Sequence, residues 1–205
     1  MNILLLAPEP FYEERGTPIA VGLILKGLSE RGDNIEVVTY PQGSAIQYEH
    51  VTVHRILKVP FMNHIRPGFS WKKVVCDCFM FFKVMRLACG KRYDLVHAVE
   101  ESVFMALILK CVFKIPYIYD MDSSLAQQMI EKYPFLNPLQ FLLRFCEKLA
   151  VKNAEVVLPV CDALAHGIEK HRPKRVEVIP DVSLLSEIDP AHIEATLESK
   201  VNYEN

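Results

Sequence analysis

Residues 95–120 read LVHAVEESVFMALILKCVFKIPYIYD. Leu95–Val99 is a short, apolar, partly β-branched run and reads as a buried strand. Ser102–Phe113 is apolar over the length of a helix, and Pro116–Asp120 returns to strand composition. Strand, helix and strand in that order predict a right-handed crossover between two parallel strands. Lys110 and Lys114 interrupt the apolar stretch Val103–Tyr119, so it does not read as a membrane-spanning helix.

The same alternation extends in both directions. Upstream, Ile3–Ala7 reads as a strand. Pro18–Glu30 reads as a helix with Ile19, Leu23 and Leu28 flanking one face and Arg31-Gly32 ending it. Ile35–Tyr40 and Val51–Leu57 read as strands, and Trp71–Cys89 as a helix stopped at Gly90. Downstream, Asn137–Lys152 is a predicted helix opened by Asn137-Pro138. It is followed by a strand at Val156–Val160, a helix at Asp162–Lys170 and a strand at Val176–Pro180. The strands are apolar on both sides, which suits a mostly parallel α/β sheet covered by helices on both faces. Residues 1–185 form the predicted domain. Residues 186–205 are expected to be an acidic linker or tail, and the wider stretch Asp181–Asn205 holds no strand pattern, only a weak helix at Pro190–Lys200.

The chain has 205 residues, 51% of them hydrophobic, and a formal charge of −2. That composition supports one sizeable core and excludes a disordered chain or a bulk polyanion binder. The six cysteines (76, 78, 89, 111, 146 and 161) sit mostly in apolar segments. They read as reduced core residues of a cytoplasmic protein, and no Cys/His cluster completes a metal set. Met1–Ala7 lacks a basic start and is cut short by Pro8, so it does not read as a secretory leader.

In an open parallel sheet, ligands bind beyond the carboxyl ends of the strands. The first such connection runs from Pro8 to Pro18, long for its type. It ends in Arg15, Gly16, Thr17 and Pro18. Thr17 suits an N-cap and Pro18 the first helical turn. Gly16 and Arg15 beside a helix N-terminus suit an anion, and a capped helix behind a long loop is the equal alternative. No G-x-G-x-x-G is present. After Leu95–Val99 come Glu100 and Glu101. They suit the start of a helix, and Glu100 is also placed to accept hydrogen bonds from a polyhydroxyl ligand. His97, within the strand, reads as a satisfied core histidine. Asp120-Met121-Asp122-Ser123-Ser124 follows the next strand and fits either a ligand rim or Asx-turn and cap chemistry. Asp120 and Asp122 would share a side if the strand continued, but no third metal ligand accompanies them. Cys161 opens a helix as a poor cap, with no basic partner to make it a nucleophile.

Residues 55–92 carry nine basic side chains against the single acid Asp77. Aromatics are interleaved among them at Phe61, Phe69, Trp71, Phe79, Phe81 and Phe82. The helix within this stretch is apolar on more than one side, through Val74, Cys78, Phe81 and Met85 and also Val75 and Phe82. Either it contacts an anionic membrane surface, or it packs on the sheet with a solvated basic face. No nucleic-acid recognition motif accompanies the charge, so nucleic acid is not expected as a partner.

The ordered set of these segments resembles the N-terminal domain of a family 4 glycosyltransferase with the GT-B fold. The likeness rests on Ile3–Pro8, Gly16-Thr17-Pro18, Leu28-Ser29-Glu30-Arg31-Gly32 and Glu36-Val37-Val38-Thr39. It continues through Tyr93-Asp94-Leu95-Val96-His97-Ala98, Ile115-Pro116-Tyr117-Ile118-Tyr119-Asp120, Val157-Leu158-Pro159-Val160 and Val178-Ile179-Pro180.

The resemblance implies two Rossmann-like domains across a cleft, with the acceptor on the first and a nucleotide sugar on the second. It implies that this chain is the acceptor half, that the donor-binding half is missing, and that the isolated chain is inactive. Transfer would be retaining and metal-free, with no further cofactor, to a glycan or lipid-linked hydroxyl. Gly16 and Thr17 would face the donor diphosphate and Glu100 would lie near the acceptor; Arg15 and Ser123 are further candidate substrate-binding residues, and Asp122 is the candidate catalytic residue. Asp122 stands at a position that often carries a His in this family; an Asp there can accept a hydroxyl hydrogen bond but carries no positive charge. Apart from the resemblance, the cysteine usage points to a cytoplasmic location and the basic, aromatic residues 55–92 to peripheral contact at the inner face of a membrane. The competing reading is a non-catalytic half-domain that docks a partner or a membrane.

Overall fold

A computed structural model describes residues 1–9, 16–43, 47–57 and 70–180. Arg15, the tail 181–205, and the basic and aromatic residues between 58 and 69 lie outside the described residues.

The six strands β1 (Asn2–Ala7), β2 (Asn34–Thr39), β3 (Val51–Arg55), β4 (Leu95–Val99), β5 (Tyr117–Met121) and β6 (Val156–Pro159) form one parallel sheet. Their order is β3-β2-β1-β4-β5-β6. The chain winds outward from β1 to β3, crosses back, and winds outward again from β4. The order therefore reverses between β1 and β4, and the strand ends splay apart there to leave a crevice.

The helices are α1 (Gly16–Glu30), α2 (Trp71–Gly90), α3 (Val103–Phe113), α4 (Leu125–Lys132), α5 (Gln140–Asn153) and α6 (Asp162–Glu169). Strand β1 shows why its sequence is a continuous apolar run. Leu4 and Leu6 join the core under α2, α3 and α5, while Ile3, Leu5 and Ala7 pack with Val21 and Leu25 of α1. Both faces are covered from Ile3 to Ala7, so those positions are apolar, and the polar Asn2 stands at the exposed start of the strand. On α2 the fully buried stripe is Cys76, Met80 and Val84 at helical spacing.

The end of α1 follows from Gly32, whose φ is +83°. There the Gly32 N–H donates to the Ser29 carbonyl and the Asp33 N–H to the Leu28 carbonyl, which closes the orphan carbonyls in a Schellman motif. No helix among the described residues is long and apolar enough to cross a membrane.

Several boundaries differ from the sequence expectation. Helix α1 starts at Gly16, one residue before the expected cap Thr17. Asn137-Pro138 lies inside a 3-10 turn, Pro134–Leu139, and α5 begins only at Gln140, because a proline inside the helix would clash with the preceding turn. Helix α4 was not predicted. It is short and weakly apolar, and is started by Ser124, whose hydroxyl accepts from the Gln127 N–H at 3.3 Å. The expected last strand reduces to one bridge between Val176 and Val157. Of the six cysteines expected in the core, Cys76 is buried on the α2 stripe, Cys146 is half-buried, and Cys78, Cys89, Cys111 and Cys161 are exposed.

Candidate functional site

The crevice between β1 and β4 collects carboxylates from four elements. Glu9 follows β1. A tight turn holds it there, with its N–H on the Ala7 carbonyl and its own carbonyl accepting from the Thr39 hydroxyl at 2.8 Å. Glu100 follows β4 with φ +48°, a left-handed conformation that a glutamate adopts only under constraint. It opens the 3-10 turn Glu100–Ser102 that leads into α3. Ser102 ties that turn down by donating to the carbonyls of Leu6 and Val99. Asp122 follows β5 and accepts from the Thr17 hydroxyl at 2.7 Å. Asp77, from the second turn of α2, accepts from the Tyr40 hydroxyl at 2.5 Å.

Among the described residues, Lys73 answers them. Lys73 sits one helical turn before Asp77 on α2, so both point the same way, and its ammonium lies 2.5 Å from Glu101. Burial works against the Lys73 charge, but Glu101, Glu100 and Asp77 outweigh it and raise its pKa. The carboxylates respond in the opposite sense. Burial, then the charges of Glu100 and Asp122, push Glu9 up to about 8. Burial, then Glu101, push Glu100 up to about 7. Burial, then Glu101, also push Asp77 up to about 7, although the Tyr40 hydroxyl and Lys73 pull it down. These are like charges crowded in a poorly hydrated crevice, where some stay protonated near neutral pH.

A cleft of about 690 Å³ opens beside this cluster. Lys73, Asp77, Glu100 and Glu101 line one side of it; Val74, Phe104, Leu125 and Met129 give it apolar surface, and Gln128, Glu131 and Lys132 of α4 add further polar groups. Such a cavity suits a ligand that carries both hydroxyls and apolar surface.

The sequence-predicted residues divide as follows. Glu100 lines the cleft. Thr17 and Asp122, 105 positions apart, are brought into contact, and Asp122 acts electrostatically on both Glu9 and Glu100. The Thr17 hydroxyl therefore serves Asp122 rather than a helix cap. Gly16 is the first residue of α1. Ser123 is half-buried, and its Oγ has no hydrogen-bond partner among the described residues. Strand β5 ends at Met121, so Asp120 and Asp122 do not act together. Asp120 is buried against His97 Nε2 at 3.1 Å, which makes His97 the satisfied core histidine expected. Cys161 opens α6 without a side-chain cap. Among the described residues no group of three or more His, Cys, Asp or Glu is arranged to hold a metal ion.

Sequence reasoning missed Glu9, Lys73 and Asp77. For Glu9 the signal was present, a glutamate between two prolines directly after the first strand. For Lys73 and Asp77 it was masked by the basic stretch around them.

The family model described as Glycosyltransferase Family 4 matches residues 16–181. The chain belongs to this family. Its fold is that of the N-terminal domain of a GT-B glycosyltransferase, and solved structures agree. Sucrose-phosphate synthase from Thermosynechococcus elongatus superposes with TM-score 0.68 at 17% identity, over 96% of this chain and 52% of that one. A shorter chain of the same enzyme superposes with TM-score 0.62 at 14% identity, over 100% of this chain and 98% of that one. UGT89C1 of Arabidopsis thaliana, solved with UDP-L-rhamnose, gives TM-score 0.57 at 14% identity, over 97% and 56% of the two chains. The family 4 chain thus spans about half the length of the two longer enzymes. No curated protein sequence matches it significantly.

Proposed function

We propose that this family 4 domain is the acceptor-binding half of a retaining glycosyltransferase, which moves a hexose from a nucleotide sugar to a hydroxyl of a glycan or lipid-linked acceptor. The observation that carries the reading is the cleft at the β1/β4 crevice, with Glu100 held in a strained conformation in its lining. Backbone strain of this kind persists where the surrounding structure enforces a particular side-chain direction. A carboxyl poised at about 7 accepts the hydrogen bond of an acceptor hydroxyl and takes up its proton as the bond to the sugar forms.

Asp122, oriented by Thr17, would bind a second hydroxyl of the reacting sugars. The first N–H groups of α1 at Gly16 and Thr17 would face the donor diphosphate across the cleft. The donor-binding domain would supply the charges that stabilise the departing diphosphate, and transfer would need no metal or other cofactor. The isolated chain would then bind acceptor without turning over.

The test is a pair of titrations on this chain by ligand-observed NMR, one with a panel of polyhydroxyl acceptors and one with a panel of nucleotide sugars. We expect saturable acceptor binding, weakened roughly ten-fold in Glu100→Gln for one charge-assisted hydrogen bond lost. No nucleotide sugar should bind, and none should be hydrolysed. Tight nucleotide-sugar binding to this chain alone, or acceptor binding indifferent to Glu100→Gln, would overturn the assignment.

A further inference from the structure

Helices α2, α3 and α5 lie side by side on one face of the sheet, and Met80, Leu109 and Val151 turn their inner sides into one core. A surface helix is normally polar on the opposite side. Here that side is apolar on all three. Trp71 and Phe82 on α2 are 77% and 70% exposed, and Phe141 and Phe145 on α5 are 83% and 47% exposed. Between them, Ile108 and Val112 of α3 are also exposed. On α2 the helical period places Trp71 and Phe82 opposite Met80; on α5 it places Phe145 opposite the buried Glu147.

Charge separates these helices from the rest of the molecule. They carry eight basic side chains and two carboxylates, in a chain whose net charge is −2. Both carboxylates are turned inward. Asp77 is engaged with Tyr40, and Glu147 accepts from the Ser124 hydroxyl and the Ala126 N–H. Lys73 also points inward, to Glu101. What reaches the surface is aromatic rings with cations such as Lys72, Arg86, Arg144 and Lys148 around them.

We propose that the outer face of α2, α3 and α5 docks on an anionic lipid bilayer. Aromatic rings settle among the headgroups, basic side chains extend along them to the lipid phosphates, and the cationic surface complements the negative leaflet. The surface differs from the one the sequence suggests. It includes α5, far outside residues 55–92, and it excludes Lys73. Its aromatic ends Trp71 and Phe141 stand in the first turns of α2 and α5, at the carboxyl edge of the sheet. The cleft residues Lys73, Val74 and Phe104 belong to the same edge, so a docked chain holds its cleft at the membrane interface. The docking surface stands on these side chains alone and does not require the transfer chemistry.

The experiment is flotation of the 205-residue chain with phosphatidylcholine vesicles, with and without one third phosphatidylglycerol. Binding is expected only to the anionic vesicles, and it should weaken as salt is added. The double variant Lys72→Glu/Arg86→Glu should lower partitioning by at least roughly ten-fold, since each basic side chain near an anionic surface contributes several-fold. Phe141→Ser/Phe145→Ser should lower it as well, which tests α5 separately. Lys26→Glu, on α1 at the opposite face, should leave it unchanged. All these positions are exposed, so unaltered circular dichroism melts confirm that the variants fold. Absence of binding to anionic vesicles, or equal binding by all variants, would overturn the proposal. So would a dimer in light scattering that Phe141→Ser/Phe145→Ser dissociates, because the face would then belong to a second copy of the chain.

Discussion

Glu9 makes the domain's stability fall as pH rises. Its carboxyl is buried beside Glu100 and Asp122 and is pushed up to about 8. In the unfolded chain it returns to the ordinary glutamate value. A carboxyl raised on folding contributes stability that is fully present below the unfolded value and is lost as pH rises through about 8. Taken alone, a displacement of that size corresponds to an energy on the order of 5 kcal/mol. Glu9 shares its field with Glu100 and Asp122, and protonating one group relieves the others, so the expected effect is about 3 kcal/mol. In a domain of this size that lowers Tm by roughly 6–12 °C over the whole span from the ordinary glutamate value to about 8, and a little over half of that, roughly 3–7 °C, falls between pH 6 and pH 9.

Glu9→Gln keeps the shape of the protonated side chain and removes its titration. Between pH 6 and pH 9 the variant should lose roughly 3–7 °C less than the parent, while Glu100 and Asp77, raised to about 7, titrate in both proteins. Asp33, Glu36 and Glu155 have pKa values lowered by their partners, so they do not titrate in this window. Circular dichroism melts of both proteins across the range measure the difference. Equal Tm loss in parent and variant, or a parent as stable at pH 9 as at pH 6, would refute the placement of a buried, charge-crowded Glu9.

Two substitutions on α2 separate core from surface. Met80→Ala empties a fully buried site and should cost about 2–5 kcal/mol, whereas Phe82→Ser, at an exposed position two residues on, should stay within about 0.5 kcal/mol; urea unfolding measures both. Asp120→Leu removes the partner of buried His97 and should destabilise by about 1–3 kcal/mol in the same assay, while His97→Leu combined with it should recover part of the loss.

Much of the fold was legible in the sequence because each signal was local. Strands buried on both faces read as unbroken apolar runs, as Ile3–Ala7 does. Arg31-Gly32 marked a helix end because the αL position needs glycine. Strand and helix alternating from Leu95 to Asp120 left little choice but a parallel crossover. The misplaced boundaries lie where local signals conflict. Asn137-Pro138 carries a helix-start motif, yet the chain spends it on a 3-10 turn. Helix α4 is too short and too weakly apolar to announce itself.

The site was legible only in part. Glu100 and Asp122 could be picked out because parallel sheets present their ligand rim just after each strand. Their partners could not, since Thr17 meets Asp122 across 105 positions and Lys73 meets Glu101 across most of α2 and strand β4. The same holds for the outer surface. Sequence alone registered that residues 55–92 are basic and aromatic, but helical phase on a packed layer decided which of those side chains turn outward. It turned Lys73 in, Trp71 and Phe82 out, and placed Phe141 and Phe145 on the same face. Composition and periodicity therefore determined the α/β class and the order of elements, because backbone propensity and burial act within a few residues. Tertiary structure alone decided which carboxylates share a crevice and which aromatics share a surface, because charge and solvent respond to distance in space and not to distance along the chain.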